Sequence, residues 1–269
     1  MVNRLLFEQV RLTFLWSLRD RVLHAVLGVA LLLLLLVPVF SSFSMRQVQE
    51  SAIALVLSAS SLTLLTVAVL LGAAAIFRDV DRRYTTAVLG LPITRGSYVL
   101  GRLLGLALFL LLAATLLFLC SALVIAWAAA TYPSQLPIPW PTIALAFTAA
   151  ALKAILLAAL ALFFSALSTS FSLPFFCTLA IWLAGSASQE AHDYIAGSMG
   201  KDLPLLARFA AQVLYYLLPN FSGLNFQLQA IYALPVAIGD VLGSFVYALL
   251  YTAMVAWLAI IVFSRRELP

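Results

Sequence analysis

Charged residues are scarce in this sequence. Only 9% of its 269 residues are Asp, Glu, Lys or Arg, and 65% are hydrophobic, whereas soluble globular domains carry about 25% charged and about 45–50% apolar residues. The alternating polarity over roughly ten residues that marks outer-membrane barrels is also missing. These two absences exclude a soluble fold and a β-barrel. They predict an all-α integral membrane protein, whose helices satisfy their own backbone groups in lipid.

Cysteine and histidine are equally scarce, with two of each. Cys120 and Cys177 both fall within apolar runs, where a thiol behaves as a small hydrophobe, and neither forms a metal-ligand spacing with His24 or His192. The sequence has no H-E-x-x-H, no G-x-S-x-G and no G-x-x-x-x-G-K-[ST] phosphate loop. We therefore expect no metal site, no catalytic residues and no ATP hydrolysis in this chain.

The apolar runs are long enough to cross a bilayer, which takes about 20 helical residues. The first run is longer than the roughly 7–15 apolar residues of a signal peptide, so we interpret it as an uncleaved span. We predict one domain with six spans, at residues 22–40, 51–77, 103–130, 143–167, 172–187 and 237–263.

The basic residues fix an orientation for these spans. If the amino terminus is cytoplasmic, eleven of the fifteen Lys and Arg residues lie on the inside and three on the outside, with Lys153 inside a span. By the positive-inside rule both termini are then cytoplasmic. Because these residues lie beside the membrane and form no continuous stripe, they fit lipid headgroups and exclude nucleic acid as a partner.

Two segments outside the spans carry amphipathic patterns. In residues 3–20 the charged side chains project from about a quarter of the helix circumference, which predicts an interfacial helix on the inner leaflet; an ordinary charged flank is the alternative. Residues 188–235 are too polar for one span and too apolar for a plain loop. We predict short re-entrant helices there, on the outer side before the last span.

The loop after the second span has the most informative pattern. Val80, Tyr84, Val88 and Leu91 recur at helical spacing, and Pro92 ends the pattern. We predict a short amphipathic helix over residues 78–92 at the cytoplasmic face, in a position where a soluble partner could push on it.

Several short motifs occur in a fixed order along the chain. They are Asp81-Arg82-Arg83, Thr85-Thr86, Leu91-Pro92-Ile93-Thr94-Arg95, Tyr98, Gly101-Arg102, Leu217-Leu218-Pro219-Asn220-Phe221, Phe226 and Phe263-Ser264-Arg265-Arg266-Glu267-Leu268. With these motifs, six spans and inside termini, the sequence resembles the permease subunits of the type-2 ABC transporter family, the exporter-like branch. The likeness extends over nearly the whole chain.

That resemblance implies a homodimer in the bacterial inner membrane, driven by a separate cytosolic ATPase subunit that carries the ATP and Mg²⁺. It also implies that residues 3–20 form the connecting helix, and that a periplasmic accessory protein is a candidate partner. The residues of the coupling helix, which would rest in a cleft of the ATPase, would be Asp81, Arg82, Arg83, Tyr84 and Thr85. The apolar, aromatic-rich spans favour a lipid-like or amphipathic cargo over a free ion, which needs fixed ligands.

Two further sets of residues are candidates for function. Lys153 lies about ten residues into the fourth span, and an intramembrane ammonium is a candidate contact for an anionic substrate, although its stem could instead reach the outer interface. Gly101-x-x-x-Gly105 and Gly239-x-x-x-Gly243 fit the small-residue pattern of close helix packing, which makes them candidates for a dimer contact or for chance spacing.

Two other functions remain open from the sequence. The chain could use the same ATPase to transmit force to an outer-side partner without moving a substrate, with residues 188–235 as its working surface. An ion-driven secondary transporter is disfavoured, because Lys153 and Asp240 are the only charge candidates within spans and the two halves show no internal repeat.

Overall fold

The structure is a computed structural model that describes residues 2–44, 47–81, 94–132, 137–197 and 205–266. Within these ranges the regular secondary structure is entirely helical, which confirms an all-α protein. The helices are α1 (Val2–Arg19), α2 (Arg21–Ser42), α3 (Val48–Asp81), α4 (Arg95–Thr131), α5 (Trp140–Leu167), α6 (Ser172–Ala196), α7 (Leu205–Leu217), α8 (Gln227–Ile231) and α9 (Ile238–Arg265).

Five of these helices are long and apolar enough to cross a membrane: α2, α3, α4, α5 and α9. The predicted span at 172–187 forms the first part of α6, which does not belong to this set. Polar residues follow its apolar start from Ser186 to Asp193, so α6 lacks the long apolar stretch that the other five have. Its crossing of the membrane therefore stays a prediction.

The centre of the bundle is the packing of α3 against α5. A Cβ atom placed on Gly72 of α3 would lie 2.6 Å from the Cβ of Ala161 and 2.7 Å from the carbonyl oxygen of Ala158. Small residues thus let the two backbones approach closely, which is how helices associate in lipid, where no hydrophobic force drives them together. Helices α2 and α9 lie at the periphery, each with 22% of its most apolar stretch buried.

Helix α1 packs on the first half of α4 through a polar stripe. Gln9, Thr13 and Ser17 recur every four residues and are buried against it, while Phe7 is 66% exposed. The predicted helix over 3–20 is therefore present, but its protein-facing side is this stripe of small and polar residues. Its position at the lipid interface stays a prediction.

Gly101 and Gly105 form the other half of this contact. A Cβ atom on Gly101 would lie 2.7 Å from the Cβ of Gln9, and one on Gly105 would lie 2.5 Å from the Cβ of Thr13. Because α1 of the same chain covers both glycines, they are not free to pack against a second copy. The dimer contact predicted at Gly101 and Gly105 is replaced by this contact within the chain.

Helix α3 is longer than the predicted span at 51–77. It continues to Asp81, so the first four residues of the predicted coupling helix at 78–92 belong to the end of α3. Residues 82–93 lie outside the described residues, and the remainder of that prediction is untested.

We expect Gly105→Ala to destabilise the protein by about 1–3 kcal/mol, because the added methyl group overpacks the contact with Thr13. Thermal unfolding in detergent measures the effect. The matched control is Gly28→Ala in α2, where a new Cβ meets nothing within 4 Å and the better helix propensity of alanine should be neutral or stabilising. Equal responses of the two variants would contradict the packing of α1 on α4.

Candidate functional site

One end of the bundle collects the charged residues of several helices. The end of α3 and the end of α9 both pack beside the start of α4, and α1 lies against α4 as well. We call this the basic end, after Arg78, Arg95, Arg102 and Arg266, whose hydrogen bonds connect these helices. Both attachment points of segment 82–93, Asp81 and Thr94, lie at this end, so whatever acts on the segment acts on the basic end.

The centre of the basic end is an ion pair between α3 and α4. Arg102 pairs with Asp79 through a close contact between Nη2 and Oδ2, and the hydroxyl of Tyr98 donates a hydrogen bond to the same carboxylate oxygen. The side chains of Arg102 and Asp79 are only 13% and 14% exposed. Removing one partner of so enclosed a pair costs far more than removing an exposed pair, because the remaining charge is left uncompensated.

Helix α1 is attached to this ion pair by Trp16. The guanidinium carbon of Arg102 lies 5.9 Å from the centre of the indole ring, and that of Arg78 lies 5.2 Å from it. Both distances are within the range of a cation–π interaction, for which Trp is the best ring. We call Trp16, Arg78, Asp79, Tyr98 and Arg102 the junction cluster.

A second ion pair closes the corner between α1 and α2. Asp20 separates the two helices, accepts a hydrogen bond from the backbone N–H of Val22 at 2.9 Å and pairs with Arg78 of α3. Burial pushes the pKa of the Asp20 carboxyl upward, but the hydrogen bonds from Arg78 and Val22 outweigh burial and hold the pKa below its ordinary value. Asp20 is therefore ionised at neutral pH and keeps Arg78 beside Trp16.

The end of α9 is fixed to the same region by arginine. Nη1 of Arg95 donates to the carbonyl oxygens of Ser264 at 2.9 Å and of Arg266 at 2.8 Å, and Arg266 in turn donates to the carbonyl of Ala166 at 2.9 Å. These carbonyls have no partner within their own helices, and a cation is favourable at a helix C-terminus. The closing motif of the chain therefore holds α9 against α4 and α5.

The structure describes only one of the five predicted coupling residues, and only its backbone. Asp81 is the last residue of α3, and its side chain is not described; Arg82, Arg83, Tyr84 and Thr85 lie outside the described residues. Their role stays a prediction. The junction cluster, whose Asp79 lies two residues before Asp81, was not identified from the sequence. The sequence contained one signal for it: Asp79 and Arg102 carry opposite charges, one near the end of α3 and the other near the start of α4.

Lys153 lies in the middle of α5 and is partly buried. In the parts of the chain that the structure covers, no carboxylate pairs with its ammonium group and no hydrogen bond to it is formed. An unpaired ammonium at this depth keeps Lys153 a candidate contact for an anionic group. Asp240, in the first turn of α9, is exposed.

The opposite end of the bundle carries a polar and aromatic cluster. The side-chain amide of Asn220 donates to Gln189 of α6 at 2.7 Å, and its backbone N–H donates to the hydroxyl of Tyr247 of α9 at 2.9 Å. An open cavity of about 360 Å³ lies beside this cluster, lined in part by Tyr215 and Tyr216 of α7. Residues 188–196 of the predicted outer-side segment therefore belong to α6. Its other described helices are short: α7 packs on α6, and α8 packs on α3 and α5.

No protein-family model matches the sequence, and no curated protein matches it. In the described ranges no three metal-ligating side chains come together.

Breaking the ion pair of the junction cluster should destabilise the protein strongly. We expect Arg102→Gln to lower the free energy of unfolding by about 3 kcal/mol, because Asp79 keeps its charge in an enclosed position. Thermal unfolding of the single variants and of the double variant Asp79→Asn with Arg102→Gln forms a thermodynamic cycle.

The loss in the double variant should be smaller than the sum of the two single losses. The control is Arg265→Gln, an exposed arginine at the same end, which should change little. Additive losses would mean that the two residues do not interact.

Proposed function

We propose that the chain is the permease subunit of an ATP-driven ABC transporter of the bacterial inner membrane. It works as a homodimer with a separate cytosolic ATPase subunit and exports a lipid-like or amphipathic substrate. In this proposal α6 is the sixth span, both termini and the basic end are cytoplasmic, and α1 is the connecting helix.

The observation that carries this proposal is the position of the junction cluster, which joins the two helices that precede and follow segment 82–93 in the chain. The segment contains most of the candidate coupling residues, and it begins shortly after Asp79. A push on it would act on Asp79, which is paired with Arg102 of α4; Arg102 in turn contacts Trp16 of α1. Helices α1, α3 and α4 would therefore respond together. A permease needs such a joint response if closure of the ATPase subunits is to rearrange its spans.

The proposed cargo class is supported by the chemistry of the spans. The five membrane-length helices are apolar over long stretches, and Lys153, in the middle of one of them, has no ion-pair partner among the described residues. Such walls suit an amphipathic molecule, since a desolvated ion would need several fixed polar ligands. Lys153 would contact an anionic group of the cargo.

The cluster at the opposite end favours a second candidate function, in which the ATPase drives the chain to act on an outer-side partner without moving a substrate. Tyr216 is 79% exposed beside the open cavity, and aromatic side chains of this kind are enriched in protein interfaces. Stimulation of ATP hydrolysis by a transported substrate would favour the permease, and stimulation by an outer-side protein alone would favour this alternative.

The coupling role is tested by replacing Asp81 and Arg82 with alanine in one chain. We expect substrate transport into inside-out vesicles to fall roughly tenfold, because a change of this size corresponds to a typical coupling free energy between two sites. The amount of folded protein should be unchanged. The control is Arg46→Ala, a basic residue that lies between α2 and α3 in the sequence. Normal transport by the double variant would contradict the assignment of these residues.

The orientation is tested by labelling a single cysteine in a chain whose Cys120 and Cys177 have been replaced by alanine. A membrane-impermeant thiol reagent should reach Thr85→Cys from the cytoplasmic side and Asn225→Cys, an exposed position beside the opposite cluster, from the outer side. The reverse pattern would refute both the orientation and the ATPase contact.

A further inference from the structure

Two cavities follow one another along the seam between α2 and α3. The first, of about 250 Å³, lies at the basic end and is lined by Asp20 and Arg78, with apolar walls that include Leu70 and Phe171. The second, of about 310 Å³, continues the seam toward the middle of the bundle. Residues on its α3 side include Thr66, one helical turn from Leu70.

The two cavities form one groove, because the residues that line them fall on continuous rows of each helix. On α3 the row is Leu62, Thr66, Leu70, Ala74 and Arg78, each about one turn from the last, so the row is a continuous ridge that winds gradually around the helix. From Thr66 to Arg78 the row covers about 18 Å at 1.5 Å per residue, slightly more than the roughly 15 Å depth of one leaflet of hydrocarbon.

The second cavity is lined only by residues of α2 and α3 and opens toward the surroundings of the bundle, whereas Phe171 adds a wall to the first cavity. Val29 on its α2 side and Leu62 on its α3 side are both 59% exposed, and a Cβ atom placed on Gly28 would have no neighbour within 4 Å. In a chain that crosses the membrane these surfaces face lipid, so an acyl chain has direct access to the groove.

The mouth of the groove at the basic end is positively charged. The side chain of Arg78 is 37% exposed, whereas Asp20, its partner, is only 9% exposed, so the cation is the more accessible member of the pair. Arg19 and Arg21 flank Asp20 in the chain and are exposed. Among the residues that line this cavity, Arg78 is thus the accessible charge, and an exposed cation favours an anion. Basic pockets beside membrane helices bind lipid headgroups.

We propose that the α2–α3 groove binds an anionic membrane phospholipid, with the headgroup phosphate on Arg78 and one acyl chain along the rows of α2 and α3. Only one nitrogen of Arg78 contacts Asp20, so the guanidinium has donors left for a phosphate. This site goes beyond the proposed function, since it requires only that the chain lies in a membrane and not that it works with an ATPase.

The site is tested on the full-length chain purified in detergent and then reconstituted in lipid nanodiscs. Retained lipid is counted by native mass spectrometry, and binding is compared between phosphatidylglycerol, which is anionic, and phosphatidylcholine, which has no net charge. We expect the wild type to prefer phosphatidylglycerol by on the order of tenfold, the equivalent of about 1.4 kcal/mol.

Two variants address the two halves of the site. Ala25→Trp fills the groove from an exposed position on α2, and Asp20→Asn combined with Arg78→Gln removes the charged pair without leaving an unpaired charge. Each should reduce retained phosphatidylglycerol by on the order of tenfold. The control for Ala25→Trp is Leu35→Trp, because Leu35 is 71% exposed on the side of α2 that faces away from the groove. The control for the charge variant is Arg265→Gln. Both controls should retain as much lipid as the wild type.

Several outcomes would overturn the proposal. Equal retention of the two lipids would show that Arg78 does not select an anionic headgroup. Retention unchanged by Ala25→Trp would show that no acyl chain lies in the groove. If inorganic phosphate displaced the lipid headgroup fully while Ala25→Trp had no effect, the site would be one for soluble anions. Val29→Trp, which fills the same groove, provides the decision if Ala25→Trp does not fold.

Discussion

The arrangement of this protein depends on where an ion pair is placed relative to the membrane. Asp79 and Arg102 lie near the facing ends of two long apolar helices, where neither charge could remain alone without a large cost. Their pairing holds the last described turn of α3 beside the start of α4. Tyr98 then satisfies the carboxylate further, and its ring stacks on Phe263 with the ring centres 5.3 Å apart. The end of α9 is drawn into the same region.

This placement explains why α1 is part of the bundle. An amphipathic helix at a membrane surface normally presents its apolar face to lipid, yet α1 buries Gln9, Thr13 and Ser17 against α4 and adds Trp16 to the charges of the junction cluster. Through Trp16 the helix therefore contacts both α3 and α4, the helices on either side of segment 82–93 in the chain. In the proposed permease, a displacement of this segment would reach α1 through Asp79, Arg102 and Trp16.

Much of the fold was predictable, because apolar runs of membrane length have few other uses. The runs at 22–40, 103–130, 143–167 and 237–263 all lie within observed helices, apart from residue 237 at the start of the last, and the helix predicted at 3–20 is present. The second span was ended at residue 77 and a separate helix was predicted from residue 78. Arg78 and Asp79 instead continue α3, because each finds a partner on another helix or at a helix junction. Composition cannot reveal such pairing before the fold is known.

The glycines show a different limit of the sequence. The spacing of Gly101 and Gly105 correctly indicated a close helix contact, but a spacing does not say which helix makes it. The partner stripe on α1 was hidden, because Gln9 and Ser17 are polar residues that are ordinarily assigned to solvent. Lys153 keeps the role proposed for it on chemical grounds, and the residues from Arg82 to Thr85 keep the role that the family resemblance implies.

The close approach at Gly72 has a consequence for any route across the membrane. With the α3 backbone pressed on Ala158 and Ala161, no water file and no hydrocarbon tail fits between these two helices. The middle of a single chain is thus a solid spine with no pore between its two central helices. A molecule crossing the bilayer with the help of this protein would have to slide along an outer flank of the spine, against lipid or against another polypeptide.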